Sequence, residues 1–213
     1  MENFFKYKNP FINSELFYHL TFLEWIIPIT IVYTIILVFI IYRIKIKEVK
    51  IIDSIIRYTM GFILLSLFIT HYVLVWINNG FNVSTLPLSF YTLSCIVCLI
   101  LTFTKNKKLY SLALYSGVIG GMVNMFFDQV GYSYQYFRYY QFMISNGLMI
   151  IIPLYFLIVH DFVPNFKQLW KSLVIMQVVI LFILLFNHQF DTKYMLLTFG
   201  ENRAYENSFI SYL

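Results

Sequence analysis

The chain has 213 residues, 60% of them hydrophobic and 12% charged, whereas a soluble domain carries about 25% charge. This excludes an ordinary soluble domain, and the short loops leave no room for a second core, so 1–213 reads as a single transmembrane domain. The net charge is +5, but the basic loops contain no nucleic-acid-binding motif, so no nucleic-acid partner is expected.

Residues 1–21 form an amphipathic lead-in rich in aromatics that suit a membrane interface. No signal peptide is evident: the first apolar segment is too long for an h-region and has no small-x-small cleavage pattern. Six apolar stretches then run over 22–42, 56–77, 86–104, 109–127, 139–159 and 169–186. Each approaches the ~20 residues that cross a ~30 Å hydrocarbon layer. Backbone groups in lipid must bond within their own segment, which makes such stretches helices. The expected fold is all-α, a polytopic helical membrane bundle of six transmembrane helices.

Charge sets the expected orientation. The first, third and fifth loops hold ten lysines and arginines, among them Arg43, Lys47, Arg57, Lys105 and Lys171, against five on the other side. Positive loops stay inside, so the N-terminus is placed outside and the protein in the cell membrane, multi-pass. Trp25 and Trp76 mark outer helix ends and Trp170 an inner one. Pro28 and Pro153 are expected to kink their helices. Gly117 and Gly121 form a small-xxx-small pair, which makes the fourth helix central. Cys95 and Cys98 read as small interface residues. Residues 187–213 read as a polar outer tail, or as a loop leading to a seventh helix.

With that topology, polar side chains gather in the outer half while the deep inner half is almost purely apolar. The pocket-lining candidates are His19, His71, Ser89, Asn124, Asp128, Arg138, Gln141, Ser145 and Asn146. Polar groups inside a membrane mark sites because they are costly there. His71, Asn124, Arg138 and Asn146 are expected to face one interior cavity, and Asp128 and Arg138 to pair across the fourth loop. No GxSxG, HExxH or Walker A pattern is present, and no metal or cofactor signature. His71 with Ser89 is the one base–nucleophile pair considered, alongside a His19/Glu24 pair; either requires contact at roughly 3 Å.

The segments LPLSFYTLSCIVCLI, LYSGVIGGMVNMFFDQVG and YFRYYQFMISNGLMIIIPLYFLIVHDFVPNFKQLW resemble the YwaF-like family of bacterial integral membrane proteins. ELFYHLTFLEW and FDTKYMLL add to the likeness. The resemblance implies seven helices with an outside N-terminus. It also implies a distant link to a eukaryotic seven-helix group that transfers acyl chains onto ether phospholipids through a cysteine. Where that family has histidines, this chain has Ser89 and Asn146, and the cysteine position holds Leu88. Neither serine nor asparagine serves as a base near neutral pH.

The preferred reading is a non-catalytic membrane protein whose outer polar pocket takes a lipid headgroup or small solute, with membrane lipid as partner. The alternatives are a membrane-embedded acyltransferase acting on phospholipid, and a transporter or substrate-capture subunit.

Overall fold

A computed structural model describes residues 4–5, 21–127, 134–192 and 194–196. Among these residues every regular element is helical: α1 (Phe22–Glu48), α2 (Lys50–Asn79), α3 (Phe90–Thr104), α4 (Lys107–Ala113), α5 (Gly120–Phe127), α6 (Phe137–His160) and α7 (Phe166–Phe190). A π-helical segment, Leu114–Ile119, joins α4 to α5, so 107–127 is one continuous helical run. Four helices, α1, α2, α6 and α7, are long and apolar enough to cross a membrane, and α3 is a shorter apolar helix.

The boundaries differ from the hydropathy segments at the basic end. The expected loop 43–55 is almost entirely helical, since α1 runs through Glu48 and α2 begins at Lys50, with Val49 alone between them. Arg43, Lys45 and Lys47 therefore extend α1, where cations favour a helix C-terminus. With 30 residues, α2 is about 45 Å long. At its other end Gly80 (φ 74°) stops the helix, a backbone conformation that L side chains avoid.

The central element is α6, buried along most of its length from Tyr139 to Val159, rather than the glycine-bearing fourth run. That run packs onto α6 through its glycines. A Cβ on Gly117 would lie 2.7 Å from the Met149 carbonyl, and one on Gly121 would lie 3.0 Å from that of Asn146. The glycine spacing thus marks a close contact, but the central helix is the partner.

Both prolines leave a carbonyl without its intrahelical donor, four residues upstream. Each carbonyl is met from another helix. Glu24 O, freed by Pro28 in α1, accepts from Tyr139 Oη of α6 at 2.5 Å. Met149 O, freed by Pro153 in α6, faces the Cys98 Sγ of α3 at 3.9 Å, a weak thiol contact. Cys98 therefore has an interface role, as its sequence setting suggests.

Candidate functional site

The polar side chains of α6 near its start lie on adjacent faces: Arg138, Gln141 and Ser145 at i, i+3 and i+7, with Asn146 beside them. Arg138 reaches α2, its Nη1 lying 3.1 Å from His71 Nδ1. The same nitrogen donates to Gln141 Oε1. Gln141, 1% exposed, passes the chain of contacts on, donating to Tyr91 Oη of α3 at 3.0 Å and to Ser145 Oγ at 3.4 Å. The Arg138 guanidinium also lies 5.8 Å from the Phe142 ring centre. Three helices, α2, α3 and α6, thus converge on one half-buried cation.

Asn124 and Asn146 form a second contact, just over two turns along α6 from Arg138. Asn124 Nδ2 donates to Asn146 Oδ1 at 3.1 Å, and Asn146 Nδ2 donates to Phe142 O at 2.9 Å. Asn146 is fully buried and its amide clamps the glycine-bearing run to α6. The four residues expected to share one cavity are therefore organised as two clusters on α6, His71 with Arg138 and Asn124 with Asn146.

Ser89 has a different task. It is the N-cap of α3, its Oγ accepting from Thr92 N at 3.2 Å. Its Oγ also bonds Thr92 Oγ1 at 2.8 Å, and Thr92 in turn meets Tyr72 Oη of α2. The Ser89 hydroxyl is thus engaged by Thr92, while the Nδ1 of His71 faces Arg138. A guanidinium can only donate, so Nδ1 accepts and the ring proton sits on Nε2. The candidate base–nucleophile pair is not formed. Glu24 is likewise occupied: its Oε2 caps α1 through the Thr21 N–H (2.9 Å) and Oγ (2.8 Å), and its Oε1 accepts from Tyr134 N at 3.2 Å. His19 and Asp128 lie outside the described residues, and with them the His19/Glu24 and Asp128/Arg138 pairs. A shallow groove along α2, lined by Lys50, Ser54, Tyr58 and Phe62 among others, includes none of the sequence-predicted residues.

At the opposite end, where the sequence shows mainly loop charges with His160 and Asp161 at a helix exit, sits a buried carboxylate. Asp53, 5% exposed, takes Tyr155 Oη (2.6 Å) and His160 Nε2 (2.8 Å) on Oδ1, and Lys105 Nζ (2.5 Å) on Oδ2. Arg57, 4% exposed, is one turn on in α2 with its Nε 3.7 Å from Oδ2, and donates through Nη1 to Thr102 O at 2.5 Å. The signal was the i, i+4 spacing of Asp53 and Arg57 inside the apolar run IIDSIIRYT. Apolar residues continuing on both sides mean helix, and a helix puts both charges on one face. Among the described residues no group of three or more histidine, cysteine, aspartate or glutamate side chains could hold a metal.

The TMEM164 family matches residues 17–210, nearly the whole chain, including α1 to α7 and the segments that pack them. The chain belongs to the TMEM164 family. With its long apolar helices, that membership makes it a multi-pass membrane protein. No curated protein matches it, and no solved structure does. Within this TMEM164 family chain, Ser89 caps α3 and Asn146 clamps two helices. Those are the positions where the sequence resemblance implies histidines.

Proposed function

We propose that this protein is a non-catalytic, six-crossing membrane protein that binds an anionic group, a lipid headgroup or a small solute, at the end where α6 begins. The observation that carries the reading is Arg138, positioned by His71 and Gln141 where α2, α3 and α6 meet. A planar guanidinium presents paired N–H groups that match two oxygens of a phosphate or carboxylate. Fixing it from two helices lowers the ordering cost of binding. Such a group is costly within a membrane helix bundle and is retained where it has a task. The charge pattern favours an outside position for this end, and the resemblance to seven-helix lipid-associated proteins favours a lipid source for the anion.

Acyl transfer lacks a geometric foundation in these residues: Ser89 bonds to Thr92 and His71 to Arg138. Leu88 supplies no nucleophile at the position where the resemblance implies a cysteine. The buried thiols of Cys95 and Cys98 lie in the helix interior, and the Cys98 thiol faces a carbonyl.

Native mass spectrometry of the gently solubilised protein tests the reading. A retained anionic phospholipid or solute, lost in Arg138→Ala and weakened in Arg138→Lys, is the expected result. Lysine keeps the charge but not the paired donors. Retention unchanged in both variants would remove Arg138 from the site. A covalent acyl mass on the protein after incubation with phospholipid would overturn the non-catalytic reading.

A further inference from the structure

The polar side chains on the outer surface of the bundle's apolar helices mostly resolve their own hydrogen bonding. The Thr30, Thr34 and Ser66 hydroxyls each donate to a carbonyl of the same helix, at 2.8, 2.8 and 2.9 Å. Gln177 does not. It sits at the middle of α7 (Phe166–Phe190), is exposed, and makes no hydrogen bond to any described residue. A carboxamide facing hydrocarbon has lost its water without gaining a partner.

Its neighbours are arranged around it. Trp170, Val174, Gln177, Leu181 and Leu184 follow the 4-3-4-3 spacing of a coiled-coil seam. Trp170, Val174 and Leu181 are 57%, 54% and 58% exposed. This seam faces away from Ser172, Ile183 and Asn187, the buried residues of α7. The helix lies at the edge of the bundle, tied to α4 through a 3.1 Å contact between Ser111 Oγ and Gln168 Oε1.

We propose that this face is a homodimer interface in which α7 packs against α7 of a second copy. Two copies in one membrane share a topology, so their α7 helices run parallel. A two-fold axis between parallel helices places each seam residue opposite itself. Gln177 then meets Gln177 of the second copy, and the carboxamide, both donor and acceptor, satisfies its own kind reciprocally. One polar residue in an otherwise apolar seam also sets the register. Interhelical amide bonds are an established source of membrane-helix association.

The test uses the full chain. Disulfide cross-linking in membranes reads the geometry, and light scattering of the mildly solubilised protein reads the affinity. Val174→Cys and Leu181→Cys are expected to cross-link two copies, while Phe182→Cys, exposed on another face of α7, does not. The native Cys95 and Cys98 are buried and stay silent. Gln177→Leu is expected to weaken the dimer about tenfold, and Gln177→Asn much less. Leucine at a lipid-facing position suits the monomer, so loss of fold is not an alternative explanation. No cross-link through Val174→Cys or Leu181→Cys in membranes overturns the proposal, and α7 then faces lipid or a helix of another protein. Cross-linking through Phe182→Cys, or a dimer indifferent to Gln177→Leu, overturns it equally.

Discussion

Asp53 is the residue with the most at stake. Its carboxylate balances Arg57 and Lys105 and holds Tyr155 and His160 of α6 in place. Removing one side of a buried ion pair costs about 3–5 kcal/mol, because the remaining charge is stranded. Asp53→Asn is therefore expected to lower stability by roughly 3 kcal/mol, and Asp53→Asn with Arg57→Leu to recover part of it. Thermal unfolding followed by dye labelling of the buried Cys95 and Cys98 measures both. Equal stability of the single variant and the wild type would show that the cluster is not a tie. None of this was legible from net charge, because a count assigns Asp53 and Arg57 to a loop. It was legible in periodicity, since the aliphatic residues of IIDSIIRYT do not stop at the charges.

At the level of helices, hydropathy located every apolar run but misjudged its ends, because basic residues can continue a helix beyond the apolar layer. It also ranked the helices wrongly. Glycine reports how close a neighbour comes, not how many neighbours there are: α6 is buried along most of its length, while the glycine-bearing run makes close contacts with α6 and α3. Those contacts make a sharp prediction. A side chain at 117 would press on the Met149 carbonyl at 2.7 Å and on Cys98 Sγ at 2.9 Å, neither of which is the mobile tip of a long chain. Gly117→Val is expected to cost about 1–3 kcal/mol by overpacking, read as a lower melting temperature. The candidate site was half legible. Sequence identified Arg138, Gln141, Ser145 and His71, and the structure joins them; it did not foresee Tyr91 or Thr92, whose hydroxyls count as ordinary helix residues until α3 is set against α2 and α6.

Across the whole molecule, the two ends of the bundle are fastened by different chemistry. One uses caps and hydrogen bonds, some to single charged groups such as Arg138 and Glu24 and some neutral, such as Trp25 Nε1 donating to Met125 O at 3.0 Å. The other uses ions: beyond Asp53, the exposed Asp161 pairs with Lys47 and with Arg43 (2.9 Å), joining the end of α1 to the turn after α6. The hydrogen bond from Lys47 holds the Asp161 carboxyl below the ordinary carboxylate range. A depressed folded-state pKa means the stabilisation is present above the ordinary value and disappears as pH falls through the lower, folded one. Acid melting profiles of the wild type and Asp161→Asn are expected to converge at low pH and to separate as the pH rises. Profiles parallel at every pH would show that the pair contributes nothing.

The prolines inside α1 and α6 bear on how the protein is made. Glu24 O waits for a hydroxyl 115 residues further along the chain, so α1 enters the membrane with a carbonyl that Pro28 leaves without its intrahelical donor. That bond forms only once α6 has emerged, so α1 settles late although it is made well before α6. A ribosome halted before Tyr139 would leave α1 inserted yet unfinished, with an open carbonyl in its first turn available to whatever assists membrane proteins at that stage.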